Sequence, residues 1–496
     1  MEFVAQNISL DQYQGDALAV GLFEGSTTEG LDLLNQKSGG LLQEILEEEK
    51  FTGKKDAKVM VRMPKDQSIK RLYVLGLGKE EDYSLDKIRM AAASAARLAK
   101  SNKYSSLGLS LPPLISEPAE SITAQVEGAS LAMHTFEQFK SKKNEQENGD
   151  EGPTVQLQQV SILTNQEGAT AALAKGESMA RGTILARELV SAPSNFVTPS
   201  KMAHEAQNIA ESLGLGVNIL DRSQCEALGM GAFLGVAQGS DEPPMFIHLY
   251  YKPEGTPRRR LAFVGKGVTF DTGGISIKPS SGMEMMKTDM AGAAACLGAM
   301  RVIGELKPDV EVHCVVPATD NMPSGKAIKP SDILVASNGK TIEVDNTDAE
   351  GRLILADALV YAEKLEVDAI VDLATLTGAA LVALGSSIAA LYSKDEKLIS
   401  QIQESAQKAG EKFWRMPLED EYFESMKSLV ADMRNIGGKY GGSITGALFL
   451  QQFVEKTPWA HLDVAGPVWS DREKGYLNRG GTGFGVRTLV NLALSE

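Results

Sequence analysis

Short apolar runs alternate with helix-like stretches along nearly the whole chain, a pattern that leaves little room for anything but layered α/β units. ALAVGLF (17–23), AKVMVR (57–62), RLYVLGLG (71–78), SLGLSLP (106–112) and VQLQQVSILT (155–164) read as strands. Residues 31–50, 84–101 and the stretch near 118–140 read as helices. SKKNEQENGDEGPT (141–154) is polar and charged, which predicts a solvated loop just before the last strand of that unit. Residues 166–190 carry one long helical pattern, stopped by SAPSNFVTP with its Pro193 and Pro199. Farther on, RLAFVGKG, VEVHCVVPATD and VDAIVDLATLT are continuous apolar runs, as in strands covered on both faces. Helices over 291–306 and 354–365 are rich in small residues, which lets a helix lie close against a sheet.

At ~150 residues per domain, 496 residues allow three domains or two large ones. The expected division is a smaller N-terminal α/β domain over 1–165, with a role in assembly or access. A connecting helix follows over 166–190. A larger α/β domain, a central mixed sheet flanked by helices, occupies 191–496.

Composition narrows the function classes. Hydrophobic residues make up 43%, enough to bury a large core. Sixty-five acidic against fifty basic residues leave a net charge of −15, which argues against a nucleic-acid binder. No run approaches the roughly 20 apolar residues of a membrane span. The first residues lack a basic segment followed by an apolar one, so no signal peptide is expected. Three cysteines without a CxxC read as buried thiols of a cytoplasmic protein. Among five histidines, none share a spacing such as HxxxH, which excludes the common histidine-based zinc hydrolase motifs.

Three segments carry chemistry. GKGVTFDTGGISIKPS (265–280) follows an apolar strand and sets Lys266, Asp271 and Lys278 among glycines that let the backbone turn sharply. MEMMKTDMAGAAA (283–295) places Asp289 just ahead of a small-residue helix. In TIEVDNTDAEGRLILADAL (341–359), Asp348, Glu350 and Arg352 fall at a strand-to-helix turn. Four carboxylates converging without counter-charge would repel one another, and divalent cations are the natural compensation. Four acids exceed what one hydrolytic metal needs, so two metals is the economical reading. Oxygen ligands suit Zn²⁺, Mn²⁺, Mg²⁺ or Co²⁺ alike. A blander account makes Thr347 or Asp348 a helix N-cap and leaves Arg352 on the surface. Asp372, Asp463, His313 and His461 read as buried groups with local hydrogen bonds. Asp320 and Asp332 read as caps or turns.

Together the segments resemble the leucyl aminopeptidase family, also called cytosol aminopeptidase. NTDAEGRL matches the family signature. VGKGVTFDTGGISIKP and MKTDMAGAA match its upstream segments in order and spacing, and DLATLTGA (372–379) and HLDVAGPVW (461–469) are similar to family segments. The resemblance spans about residues 180–496. The earlier part is similar in position, size and α/β pattern only. The resemblance implies that Asp271 and Glu350 contact both metals, that Lys266 and Asp289 complete the looser site, and that Asp348 completes the other. Lys278 and Arg352 would be the catalytic pair. A ligating Lys266 must be neutral, so the metals would have to hold its pKa below the ~10.4 reference value.

The resemblance further implies a peptide substrate with a free N-terminus, preferably leucine or another hydrophobic residue. A metal-bridged water would attack the carbonyl, and bicarbonate held by Arg352 and the amides of Gly351, Arg352 and Leu353 would shuttle the proton. Met286, Thr375, Gly378 and Ala465, with Lys278, would contact the substrate. The resemblance also implies a homohexamer. Two other classes remain as alternatives, a metal-dependent phosphoesterase and a DNA-binding architectural protein. The first would usually add histidines. The second has only Arg258-Arg259-Arg260 as a compact basic cluster.

Overall fold

The structure is a computed structural model and describes residues 1–26, 31–141 and 156–495. Two compact units emerge, Met1–Ala180 with Arg472–Asn478, and Arg181–Asp471 with Arg479–Glu496. One helix, Ala169–Ser191, runs from the first into the second.

In the first unit six strands of the described residues form one sheet: β1 (Glu2–Gln6), β2 (Ala17–Leu22), β3 (Lys58–Arg62), β4 (Arg71–Gly76), β5 (Ser106–Ser110) and β6 (Gln159–Leu163). Their order is β1-β6-β5-β2-β4-β3, with only β3 antiparallel to its neighbour. The sequence reading does not include β1: EFVAQ buries one residue, Phe3, and shows no clear alternation. The helix expected over 31–50 is two, Asp32–Lys37 and Leu41–Glu48. Gly39 and Gly40 separate them at φ 71° and 88°, a left-handed conformation that ends a helix. The loop expected over 141–154 lies, from 142 on, outside the described residues.

The segment Arg472–Asn478 is stitched into this unit. Arg97 Nε donates to the Gly475 carbonyl at 2.9 Å, and Tyr476 Oη to Asp86 at 2.8 Å. Asn478 Nδ2 donates to the Leu131 carbonyl at 2.9 Å. Gly475 is at φ 57°, and a Cβ there would meet Met90 Sδ at 2.0 Å.

The second unit is built on a nine-stranded mixed sheet. Its strands are β7 (Gly216–Leu220), β8 (Met245–Tyr251), β9 (Arg259–Gly265), β10 (Gly267–Asp271), β11 (Val310–Asn321), β14 (Ala369–Ala374), β15 (Ala389–Ser393), β16 (Phe413–Arg415) and β18 (Trp459–Asp463). β12 (Ile333–Val335), β13 (Thr341–Glu343) and β17 (Met433–Arg434) form a separate small sheet. The large sheet runs β16-β15-β18-β14-β9-β11-β8-β7, with β10 beside β11. β9, β10, β11, β14 and β18 are mutually parallel, so their carboxyl ends share one edge. That edge is where open α/β sheets place ligands.

The small-residue helix, Ala291–Leu306, packs on this sheet at backbone contact. A Cβ on Gly292 would lie 2.0 Å from the Leu373 carbonyl oxygen, and one on Gly265 would lie 2.6 Å from Ala293 Cα. The helix Gly351–Glu363 is buried along nearly its whole length.

The histidines expected in the core are there. His461 Nδ1 lies 2.6 Å from Asp372, which also accepts Trp459 Nε1 at 2.7 Å. His248 Nε2 lies 2.9 Å from His313 Nδ1, and His313 Nε2 lies 3.0 Å from Glu311. Asp332 accepts the Lys329 amide in a turn, as expected. Asp320 instead lies within β11 and accepts from Thr269 and Ser240, so it is a strand residue and not a cap. Arg258 pairs with Asp309 at 2.8 Å, and Arg260 faces Glu311 at 3.6 Å, so acids offset part of the basic cluster.

Burial pushes the His248 imidazole down to about 4 from its ordinary 6.5. Between those values the unfolded chain binds a proton that the folded chain refuses. Stability is therefore fully present above about pH 6.5 and declines as the pH falls toward 4, by about 3 kcal/mol from this residue at most. Urea unfolding of wild type and His248→Gln across that window is expected to show a shallower decline in the variant. Parallel declines would remove His248 as the cause.

Candidate metal centre

The carboxyl edge of the parallel strands gathers every charged residue expected to act. Lys266 follows β9 directly. Its amide donates to the Leu373 carbonyl and its carbonyl accepts the Ala293 amide, each at 3.0 Å. These bonds fix it between β14 and the small-residue helix. Asp271 ends β10. Gly273 and Gly274 follow at φ 86° and 65°, and the turn they make brings the Lys278 amide back to the Thr272 carbonyl at 2.9 Å. Asp289 closes the short 3₁₀ turn Met283–Thr288. Glu350 occupies the N-cap position of Gly351–Glu363, but its side chain caps nothing and turns to Lys266. Gly351 makes room for this, because a Cβ there would lie 2.4 Å from Lys266 Cε.

Lys266 Nζ lies 2.8 Å from Asp289 Oδ2 and 2.8 Å from Glu350 Oε1, and donates to the Thr375 carbonyl at 3.0 Å. Lys278 Nζ lies 2.8 Å from Asp271 Oδ2 and also contacts Asp348 Oδ1. One oxygen each from Asp271, Asp348 and Glu350 lies within 4.8 Å of the others. Lys266 and Glu350 are closed off from solvent, whereas the side chains of Lys278 and Asp348 keep 21% and 31% exposure. Lys278 and Asp348 therefore mark the open side, where a substrate can enter.

The electrostatics follow from four carboxylates outnumbering two ammonium groups. Burial and the neighbouring acids push Asp271 and Asp289 above the usual carboxylate range, and burial does the same to Asp348. Burial disfavours the charge on Lys266, but Asp289, Glu350 and Asp271 outweigh it and hold the ammonium form. The same contest, with Asp271 foremost, raises Lys278. Asp289 Oδ2 and Glu350 Oε1 accept no hydrogen bond of good geometry, although both are buried. Buried acceptor oxygens with excess negative charge fit divalent cations.

Arg352 is buried, contrary to the bland helix-cap account. Its Nη1 donates to the Asn435 carbonyl at 2.8 Å, its Nε has no hydrogen-bond partner among the described residues, and burial pushes it down to about 10. A buried guanidinium with an unused donor, beside a helix start, fits a small anion. The Leu353 amide donates to the Glu350 carbonyl at 2.9 Å, so it is already engaged within the first turn. Thr375 Oγ1 donates to Asp289 at 2.7 Å. The Met286 carbonyl accepts the Asp289 amide at 3.3 Å. Ala465 and Leu376 donate their amides to the same Asp463 oxygen, which places Ala465 beside the Thr375–Gly378 loop. Gly378 is open, with nothing within 4 Å of a Cβ.

Sequence reasoning missed Asn321. Its Nδ2 donates to Asp271 Oδ1 at 2.8 Å and to the Thr347 carbonyl at 3.0 Å, tying two of the acid-bearing segments together. A lone asparagine at the end of a strand carries no signal of this. The clue is its pairing with Asp271 across β10 and β11, which only the sheet reveals.

Hard oxygen donors clustered without histidine are what a divalent-cation hydrolase needs. Residues 184–490 match the model described as the cytosol aminopeptidase family, catalytic domain, and residues 19–143 match that family's N-terminal domain. The chain belongs to the cytosol aminopeptidase family and is a metal-dependent aminopeptidase. It is 54% identical to a probable cytosol aminopeptidase of Gloeobacter violaceus and 55% identical to one of Gloeothece citriformis, each match covering 100% of both chains. Its fold is similar to that of a mutant form of tomato leucine aminopeptidase (TM-score 0.89, 42% identity, 100% of this chain and 96% of that one). It is also similar to the bottromycin maturation enzyme BotP in complex with Mn (TM-score 0.84, 33% identity, 97% and 100%).

Proposed function

We propose that Lys266, Asp271, Asp289, Asp348 and Glu350 hold two divalent cations, and that the enzyme releases leucine and other hydrophobic residues from peptide N-termini. The carrying observation is the group of three carboxylate oxygens within 4.8 Å of one another, two of them on buried side chains. When bound, the cations would supply Lewis acidity and an anchor for a free α-amine. Mn²⁺ and Zn²⁺ are the first candidates, with Mg²⁺ and Co²⁺ chemically admissible.

Lys278 stands on the open side and donates to the carbonyl oxygen as charge develops there. Arg352 and the helix-start amides of Gly351 and Arg352 would hold bicarbonate, which supplies a base; Leu353 has the smaller share because its amide is engaged. Met286, Thr375, Gly378 and Ala465 border the space for the first side chain, and Gly378 leaves that space open. A homohexamer and a cytoplasmic location complete this reading. Among the described residues no helix is long and apolar enough to cross a membrane.

The test is the substrate's amine. N-acetylation of leucine p-nitroanilide is expected to lower kcat/KM at least about tenfold, since an amide nitrogen is a poor metal ligand. Equal turnover of acetylated and free substrates would overturn the amine-anchoring reading.

A further inference from the structure

Residue 435 lies outside every motif that located the site, yet the turn carrying Asp348 is built around it. The Asn435 side chain is fully buried. Its Oδ1 accepts the Asp345 amide at 2.8 Å and the Asn346 amide at 3.3 Å. Its Nδ2 donates to the Asn346 carbonyl at 2.6 Å and to the Ala349 carbonyl at 3.4 Å. These four bonds use two acceptor positions and two donors, the working complement of a carboxamide. The residue is itself held: its amide donates to the Glu343 carbonyl on β13 at 2.9 Å. Its carbonyl accepts Arg352 Nη1 at 2.8 Å.

One buried residue thus grips the turn 345–349 at both of its edges and also holds the guanidinium that follows. Asp348 and Glu350 leave this turn for the metal centre, and among the described residues no other side chain bonds both Asn346 and Ala349. Asn321 secures the same turn from the Asp271 side through the Thr347 carbonyl. We infer that Asn435 is a positioning residue that sets Asp348, Glu350 and Arg352 in register together. The inference rests on the metal-centre reading above.

A merely structural role would lower stability and leave the folded protein's metal affinity untouched. Groups that orient metal ligands typically contribute 10–100-fold in affinity or activity. Asn435→Ala, purified and checked for a cooperative melt, is expected to bind Mn²⁺ about 10–100-fold more weakly in competition with a chelating dye. Its kcat on leucine p-nitroanilide should fall over the same range, with KM within about threefold. A folded variant whose Mn²⁺ affinity and kcat stay within about twofold of wild type would overturn the inference. Should Asn435→Ala fail to fold, Asn435→Ser carries the same test, because its shorter side chain cannot reach both edges of the turn. Hydrogen exchange of the wild-type enzyme gives a readout without any variant: the Asp345 and Asn346 amides should exchange slowly, and fast exchange would overturn the inference. Wild type that binds no Mn²⁺ would instead remove the metal-centre reading, while the exchange data still report whether Asn435 holds the turn.

Discussion

Glu350→Ala is expected to lose metal and activity together. The wild-type carboxylate is buried, lies 2.8 Å from Lys266 Nζ, and supplies one of the three clustered oxygens. The space around it is filled: the first turn of Gly351–Glu363 is buried, and a Cβ on Gly351 would lie 2.4 Å from Lys266 Cε. Removing it also leaves Asp289 as the one carboxylate, among the described residues, within 2.8 Å of Lys266 Nζ. The fall in kcat/KM should exceed the ~100-fold typical for groups that only orient a ligand. Metal analysis by mass spectrometry should show fewer ions per chain, with far-UV circular dichroism unchanged. A variant with full metal content and near-normal turnover would remove Glu350 from the centre.

Gly292→Ala should be the most damaging single methyl in the second unit. Its Cβ would stand 2.0 Å from the Leu373 carbonyl oxygen and 3.2 Å from the Lys266 amide nitrogen. Both neighbours are backbone, one in a central strand, so no side chain can swing away. Overpacking of this kind costs about 3 kcal/mol or more, beyond the ~1 kcal/mol at most that alanine's better helix propensity returns. Because the Lys266 amide bonds to the Leu373 carbonyl, relief of the clash must move the lysine as well. Denaturant unfolding should show a lower midpoint, and the surviving folded enzyme should hold metal less tightly. An unchanged midpoint would mean that the helix can slide without cost.

Much of this was legible because the chemistry is local in sequence. Lys266, Asp271 and Lys278 flank or end the short strand β10 and its glycine-rich turn, and Asp348, Glu350 and Arg352 sit at one helix start, so one short stretch of chain suffices to aim each set. The small-residue helix was legible for a similar reason: close packing needs glycine and alanine, and few other demands do. What escaped depends on distant segments. Asn321 and Asn435 are single polar residues without periodicity, and their roles arise from strand pairing and from a turn about 90 residues away in sequence. Arg352 could be surface or core in a pattern, and only the covering of its helix decided for burial. β1 escaped because an edge strand with one buried side chain leaves little apolar signal.

The return of Arg472–Asn478 to the first unit has a consequence for biosynthesis. A ribosome releases the N-terminal end first, yet Arg97, Asp86 and Leu131 bond to residues made about 300 positions later than Ala180. At ~5–20 residues per second, the first unit must wait roughly 15–60 s for its last piece. During that interval Met90 lacks the close glycine contact it has in the finished protein. A nascent chain stalled before residue 472 should therefore be more readily cut by protease in its first 180 residues than the same chain released with Arg472–Asn478 in place. The order of synthesis and the order of completion are different in this molecule.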